Sequence, residues 1–409
     1  MTSLSIGKDK NVLLLSNLFM VNRHAVYALP VAVLIAIIFP VLIENIITIS
    51  LYLFITIFFF LRSSKIILTR DLLKTAMIML SGVLIMVYSY DKVPVINFLT
   101  WSPPAFNSIL ISMLLTSVIC FIVFIQGYFY SFTVKNPLSF LGYVFLYQWA
   151  LVGIYFIVTH GFFFLGSSLL LGNITIILLP YMYSVFEEKP KLRFIFSSIV
   201  LLYLMSILTR TAFMAAAVFF LTYYLYPYLI VNKIRYKLFF PFFIVLIFFS
   251  IFIYLLSGFN FLEDFSNKYF GGKGLGGGRE LLWPQLLLYI TDKPLFGYGI
   301  NQASEYLQST VALMGDRDLS SHNIYLEILL RGGILLLSFF IILFYRIWGS
   351  FYSISNNRMS RIAASGFLAF LFLGTGIPLG VMDNIVLNTF LWFYWGVASG
   401  NTWITNHQI

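Results

Sequence analysis

Residues 212–231 read AFMAAAVFFLTYYLYPYLIV, twenty consecutive positions without a charged side chain. A stretch of about 20 apolar residues is long enough to cross the hydrocarbon core of a bilayer as a helix. The rest of the chain has the same character, because 60% of its 409 residues are hydrophobic and only 10% are charged. Soluble domains carry about 25% charged residues, so the composition excludes a water-soluble globule and a disordered chain. The sequence therefore predicts an all-α, polytopic membrane protein.

Other apolar runs divide the chain into about twelve predicted membrane spans, each about 20 residues long. Backbone groups in hydrocarbon must be hydrogen-bonded within their own segment, so each run is expected to form a helix. We expect one integral membrane domain over residues 1–409, whose first span serves as an uncleaved anchor. The predicted spans are 25–43, 46–61, 72–90, 107–131, 138–158, 162–186, 192–208, 212–231, 238–257, 324–345, 362–381 and 385–400.

The distribution of charge predicts how these spans are oriented. The chain has 25 Lys and Arg against 15 Asp and Glu, a net charge of +10. With both termini in the cytoplasm, 17 of the 25 bases fall in cytoplasmic segments, seven fall on the outer face and one, Arg331, falls inside the tenth span. This asymmetry agrees with the positive-inside rule, so the excess of bases is explained by topology and nucleic acid is not expected as a partner. The largest loop, residues 258–323 between spans nine and ten, is then expected on the outer face.

The outer loop contains a glycine-rich stretch followed by an apolar helix. Residues 271–278, GGKGLGGG, predict a hinge or lid that includes Gly276, Gly277 and Gly278, because glycine tolerates many backbone geometries. The stretch lacks the Lys-Ser/Thr ending of a phosphate-binding loop. Residues 279–290, RELLWPQLLLYI, predict a helix that lies along the membrane interface, where tryptophan and tyrosine are favoured.

Three polar residues stand at the predicted outer surface. Arg210 directly precedes the span 212–231, Arg279 begins the loop helix, and His322 lies where the chain re-enters the membrane. Two arginines can clamp a phosphate or pyrophosphate, and a histidine that titrates near neutral pH can act as a general base. The alternatives are arginines that extend to lipid phosphates and a histidine that caps span ten. Spacing alone leaves both interpretations open.

Other polar residues give weaker signals. Glu327 and Arg331 are four residues apart in span ten and predict an ion pair inside the membrane, which is structural or tunes His322. His160 lies in a short outer turn, where it either lines the same cavity or is incidental. The spacing of residues 316–318, Asp-Arg-Asp, occurs in metal-dependent sugar-nucleotide sites, but a solvated loop is favoured. No cluster of His, Cys and carboxylates suggests a metal site, so neither a metal nor a cofactor is expected.

Three segments around these residues resemble a known family, the O-antigen ligase/polymerase superfamily of bacterial envelope glycan assembly. The order and spacing of the motifs, over residues 209–335, are typical of the superfamily and do not distinguish its branches. The segments are Thr209-Arg210-Thr211-Ala212; Gly278-Arg279-Glu280-Leu281-Leu282-Trp283 with Asp292-Lys293-Pro294-Leu295-Phe296-Gly297-Tyr298-Gly299; and Ser321-His322-Asn323-Ile324-Tyr325-Leu326-Glu327 with Gly332-Gly333-Ile334.

The resemblance implies a GT-C-like glycosyltransferase in the bacterial inner membrane, with its active site facing the periplasm. The implied donor is a glycan on undecaprenyl pyrophosphate, held by Arg210 and Arg279, while His322 deprotonates or orients the acceptor hydroxyl. Direct displacement would make the enzyme inverting, and the arginines would make it independent of metal. The residues expected to assist substrate binding are Ser321, Asn323, Trp283, Glu327, Arg331 and His160.

Two branches of the superfamily remain open. A polymerase would pass the chain to a second lipid-linked repeat unit, whereas an O-antigen ligase would pass it to lipid A–core. Residues 258–323 hold five bases and seven acids, and a site for the phosphorylated lipid A–core is expected to be more basic, which favours the polymerase. Membrane lipids and a chain-length regulator are expected partners, and the product is O-antigen, capsule or another exopolysaccharide. A lipid-glycan flippase is a remote alternative, because the layout lacks the two related halves of transporters.

Overall fold

The structure is a computed structural model in which part of the chain is described. The predicted spans 25–43, 46–61 and 72–90 lie outside the described residues, and 107–131 is described only near its end. The described residues are 12–13, 68–69, 123–125, 127–128, 131, 139–160, 168–186, 188–206, 209–256, 279–299, 323–353, 358–375 and 385–407.

The described part of the chain is helical apart from short connections and one two-residue strand pair, in which β1 (Val12–Leu13) lies antiparallel to β2 (Leu68–Thr69). The expected all-α character is confirmed there, and the helices coincide with the last eight predicted spans and the predicted loop helix. The helices are α1 (Ser139–His160), α2 (Ser168–Val185), α3 (Pro190–Ser206), α4 (Arg210–Ile230), α5 (Lys233–Leu256), α6 (Arg279–Asp292), α7 (Ile324–Ser350), α8 (Arg358–Leu373) and α9 (Ile385–His407).

Three of these helices are long and apolar enough to cross a membrane: Arg210–Ile230, Lys233–Phe252 within α5, and Ile324–Ser350. One face of α5 exposes large apolar side chains at helical spacing, among them Phe242, Val245 and Phe249. Lipid tails are the natural environment for such a stripe, because it would be unfavourable in water. The protein is therefore an integral membrane protein, while the twelve-span count and the GT-C-like assignment stay predictions.

Small residues allow the central helices to approach closely. Helix α8 packs against α4 and α2, and Ala215 and Ala216 of α4 are fully buried. A Cβ atom at Gly366 of α8 would lie 2.5 Å from Cγ of Pro180 in α2, so only glycine fits at this crossing. Helix association in membranes depends on such close backbone contacts, because lipid tails are as apolar as the side chains they would replace.

Aromatic side chains join the end of α7 to the start of α5. The rings of Trp348 and Tyr236 are stacked with centroids 4.4 Å apart and an interplanar angle of 8°. Trp348 Nε1 donates to the Tyr236 carbonyl, and the Tyr236 hydroxyl donates to the Trp348 carbonyl, both at 2.9 Å. Since each buried polar tip is hydrogen-bonded, the pair holds this end of α7 in place.

Candidate functional site

Helix α7 is broken at Gly333, whose φ of 63° and ψ of −162° are not helical. In an unbroken helix the amides of residues 334–335 would donate to the carbonyls of residues 330–331, four positions earlier. Here those amides donate to the loop that follows α6, at 2.8 Å to the carbonyl of Pro294 and 3.3 Å to that of Leu295. The break therefore exchanges two helical hydrogen bonds for two bonds to another segment.

The carbonyls released by the break are paired with the same loop. The amide of Tyr298 donates to the Leu330 carbonyl at 2.8 Å, and the amide of Gly299 donates to the Arg331 carbonyl at 2.9 Å. Residues 294–299, named here the inserted loop, thus replace two helical bonds with four. Unpaired backbone groups at membrane depth would cost several kcal/mol each, so this pairing stabilises the break.

Glycine is required on both sides of this contact. Gly297 has a φ of 64°, and a Cβ atom there would lie 2.6 Å from the Leu330 carbonyl oxygen. A Cβ atom at Gly333 would lie 2.3 Å from the Leu295 carbonyl oxygen. The motif at residues 292–299 and the motif at residues 332–334 therefore contact each other through their main chains. Their local sequences do not indicate this contact.

Arg279 is the first residue of α6, and its side chain is not described. The helix predicted from residue 279 onward is confirmed, and it buries Leu282, Trp283, Leu286 and Ile290 on one face that packs against α5 and α7. Trp283 is buried in the protein with 3% of its surface exposed, and the location of this helix at the membrane interface stays a prediction. This apolar face holds the helix that begins at Arg279, while a role for Trp283 in sugar binding stays a prediction.

Asn323 fixes the start of α7. Its side-chain oxygen accepts hydrogen bonds from the amides of Tyr325 at 2.9 Å and Leu326 at 3.1 Å, which is the geometry of an N-cap. Its amide nitrogen donates to the Thr375 carbonyl at 3.4 Å, and the residue is 0% exposed. Its side chain thus positions the chain directly after residue 322, while the role of Asn323 in substrate binding stays a prediction. His322 and Ser321 lie outside the described residues.

The predicted ion pair between Glu327 and Arg331 is confirmed. Arg331 Nη2 lies 3.4 Å from Glu327 Oε2, and the two side chains are 13% (Arg331) and 5% (Glu327) exposed. The pair lies in the turns of α7 just before Gly333, and the Arg331 carbonyl also accepts the bond from the inserted loop. The pair therefore stabilises the turns of α7 that pair with the inserted loop, while its influence on His322 or substrate stays a prediction.

Arg210 is the first residue of α4 and is half-buried. Thr209 before it is buried, and a Cβ atom at Gly172 of α2 would lie 2.7 Å from its Oγ1, so α2 packs tightly on the start of α4. Arg210 is the one member of the predicted catalytic set whose side chain is described, so the convergence of Arg210, Arg279 and His322 stays a prediction.

Two further predicted features fall where the structure gives no side-chain detail. His160 is the last residue of α1, and its side chain is not described. The hinge glycines Gly276, Gly277 and Gly278 lie outside the described residues. Among the residues that are described, no group of three or more His, Cys, Asp or Glu could hold a metal ion.

The contact that holds the inserted loop against the end of α6 was not predicted from the sequence. The Tyr298 hydroxyl donates to Asp292 Oδ2 at 2.6 Å, and Lys293 Nζ lies 4.3 Å from the centroid of the Tyr298 ring. Tyr298 is buried, so these contacts anchor the loop at the end of α6. The only signal in the sequence was a tyrosine flanked by turn residues shortly after a helix.

Comparisons with known proteins match the part of the chain that contains this arrangement. The O-antigen ligase family matches residues 193–341, a segment that includes Arg210, Arg279, His322 and the inserted loop. A protein of Rickettsia conorii, named as a candidate polysaccharide ligase, is 25% identical over 146 residues, which cover 34% of this chain and 33% of that protein. The chain thus spans about a third of the length of the curated relative it matches. These findings confirm the resemblance of the chain to the O-antigen ligase/polymerase superfamily, carried by residues 193–341.

Proposed function

We propose that this protein is a membrane glycosyltransferase that takes a glycan from undecaprenyl pyrophosphate at the periplasmic leaflet and polymerises repeat units of O-antigen or a related surface polysaccharide. The observation that carries the proposal is the inserted loop. It ties the helix that begins at Arg279 to the helix that follows His322, within the segment that matches the O-antigen ligase family.

The proposed chemistry is a direct displacement at the anomeric carbon of the donor. Arg210 and Arg279 hold the pyrophosphate through charge-assisted hydrogen bonds and stabilise the charge that develops on it as it leaves. His322 accepts the proton of the acceptor hydroxyl, whose oxygen forms the new bond to the anomeric carbon. The bond from that carbon to the phosphate oxygen breaks, which releases undecaprenyl pyrophosphate and inverts the configuration. The arginines supply the charge compensation that a metal ion would otherwise provide.

The described segments next to these three residues support the proposal. The N-cap of Asn323 fixes the chain next to His322, and the buried face of α6 fixes the helix that Arg279 begins. Tight packing of Gly172 against Thr209 fixes the start of α4 at Arg210. Reaction rates depend on such alignment, because small displacements of a catalytic group cost large factors in rate.

Alanine variants of Arg210, Arg279 and His322 test the proposal. Each is expected to lower glycan transfer by at least ~100-fold, because each removes transition-state stabilisation or the base. Arg317→Ala is the matched control, since it removes a base from the same outer loop and is expected to keep activity. Immunoblots of membranes establish that each variant is present in equal amount. Full activity in both Arg279→Ala and His322→Ala would contradict the assignment.

An O-antigen ligase is the second candidate, because both the matching family and the Rickettsia relative are named ligases. Its acceptor would be lipid A–core instead of a second lipid-linked repeat unit. Purified protein supplied only with lipid-linked repeat units distinguishes the two, since a polymerase forms a ladder of chains and a ligase forms none until lipid A–core is added. In cells, loss of a polymerase leaves core with a single repeat unit, whereas loss of a ligase leaves bare core.

Movement of the donor across vesicles without bond formation would indicate the remote flippase alternative.

The proposal requires the predicted orientation in the inner membrane. Residues 258–323 must face the periplasm and both termini must face the cytoplasm, as the positive-inside count predicts. Alkaline phosphatase is active only in the periplasm, so a fusion at residue 273 is expected to be active and a fusion after residue 409 inactive. The opposite pattern would contradict the location of the site.

A further inference from the structure

Two arginines from different helices converge on one tyrosine of α4. Arg193 Nη1 donates to the Tyr223 hydroxyl at 2.6 Å, and its guanidinium carbon lies 5.1 Å from the centroid of that ring. The guanidinium carbon of Arg361 lies 3.8 Å from the same centroid, and Arg361 Nε donates to the Tyr223 carbonyl. These three residues are named here the arginine–tyrosine cluster.

The cluster lies far from the candidate active site. Tyr223 follows Arg210 by thirteen residues in α4, which corresponds to about 20 Å along the helix axis. Arg193 lies in the first turn of α3 and Arg361 in the first turn of α8. By the positive-inside count this end of the helices faces the cytoplasm.

The two positive charges have no described counter-charge. In the part of the chain that the structure describes, neither arginine of the cluster forms an ion pair with a carboxylate, although both are partly buried. Arg193 Nε is buried and has no hydrogen-bond partner among those residues. Each arginine also occupies the first turn of its helix, where the helix dipole disfavours a cation. Like charges held together and partly desolvated are costly unless an anion accompanies them.

We propose that the arginine–tyrosine cluster binds a phosphate group. Guanidinium groups present paired donors that match phosphate oxygens, and two of them here can approach one anion from different helices. The N-terminal ends of α3 and α8 add favourable helix dipoles. Three exposed bases at the starts of the same helices, Lys189, Lys191 and Arg358, attract anions to this end of the protein.

The phosphate can come from a phospholipid headgroup or from a soluble phosphate, and the test separates these sources. Full-length protein is purified in neutral detergent, and its thermal unfolding is followed with added phosphatidylglycerol, with diacylglycerol, which lacks the phosphate, and with inorganic phosphate or chloride at equal ionic strength. We expect phosphatidylglycerol or inorganic phosphate to raise the melting temperature by about 2–4 °C over its matched control. A rise with the lipid alone identifies a headgroup site, and a rise with inorganic phosphate alone identifies a soluble ligand.

Variants connect the effect to the cluster. Arg193→Gln and Arg361→Gln are expected to abolish the rise, whereas Lys191→Gln, which removes an exposed charge from the same turn of α3, is expected to keep it. Arg193→Lys retains the charge and loses the paired donors, so native mass spectrometry is expected to show ~10-fold weaker binding of the phosphate-bearing ligand. If the glutamine variants do not fold, the binding measured for Arg193→Lys tests the proposal instead. A wild-type protein that responds to neither ligand, or equal binding by Arg193→Lys and wild type, would overturn the proposal.

Discussion

The inserted loop and the arginine–tyrosine cluster both join segments that are distant in sequence, and they do so by opposite means. At the inserted loop main chain meets main chain, and the absence of a side chain at Gly333 makes the contact fit. At the cluster side chain meets side chain, and charge and hydrogen-bonding groups make the contact. The first region is therefore expected to be sensitive to added volume, and the second to altered chemistry at constant shape.

The largest effect is expected from Gly333→Ala. The new Cβ atom would lie 2.3 Å from the Leu295 carbonyl oxygen. The alanine would also have to adopt the positive φ that Gly333 has in this structure. Together these effects are expected to lower the free energy of unfolding by about 3–5 kcal/mol and to abolish glycan transfer. Gly349→Ala, in the same helix, is the control, because no atom lies within 4 Å of the added Cβ. Equal melting temperatures for the two variants in detergent would show that the inserted loop does not constrain α7.

Glu327→Gln tests whether charge matters beside the main-chain contact. The change keeps the shape and leaves the Arg331 charge largely buried without its carboxylate, so a loss of about 2–3 kcal/mol in unfolding free energy is expected. Glu188→Gln, at an exposed position, is expected to have no effect. Thermal unfolding measures both, and the double variant Glu327→Leu with Arg331→Met is expected to recover stability because both members of the pair are then apolar. Stability of the single variant equal to wild type would indicate that the pair is solvated.

Asn323→Ala is expected to cost about 1–2 kcal/mol of stability, because the amides of Tyr325 and Leu326 lose their cap. Glycan transfer is expected to fall by more than the loss of folded protein explains, since the same cap positions the chain next to His322. Asn323→Ser keeps an oxygen that can accept from the amides and is expected to retain most of both properties. Activity and melting temperature measured together separate the two effects, and normal transfer in Asn323→Ala would contradict the positioning role.

The smallest effect is expected from Tyr223→Phe. The aromatic ring that lies beside both arginines remains and only the hydroxyl that accepts from Arg193 is lost, so a loss of about 1 kcal/mol in unfolding free energy is expected. Tyr224→Phe, whose side chain is about half exposed in the next position, is the control. A loss several times larger in Tyr223→Phe would mean that the hydroxyl organises more of the cluster than this one bond.

Helix positions were predictable from the sequence because they depend on local composition. The spans predicted at 212–231 and 238–257 correspond to α4 and α5, since an uninterrupted apolar run has no alternative to a helix in hydrocarbon. The ion pair of Glu327 and Arg331 was predictable for the same reason, because residues four apart share a face of a helix.

Contacts between distant segments were not predictable in this way. Residues 294–299 carry the signature of a turn, and nothing in their local pattern indicates that they pair with α7. Arg193 and Arg361 are fully accounted for by membrane topology when the sequence is considered alone. Their meeting at Tyr223 depends on the packing of three helices, which one sequence does not reveal.

The inserted loop also constrains how the gene can change. The loop replaces two hydrogen bonds of α7 with four bonds from its own main chain. The number of residues between Pro294 and Gly299 must therefore stay constant even where side chains vary. A deletion or insertion of one residue within this stretch would shift the register and leave backbone groups of both segments without partners. Within the loop, substitution is therefore tolerated only where glycine is not required, which excludes Gly297, and natural or designed changes in chain length are expected on either side of the loop.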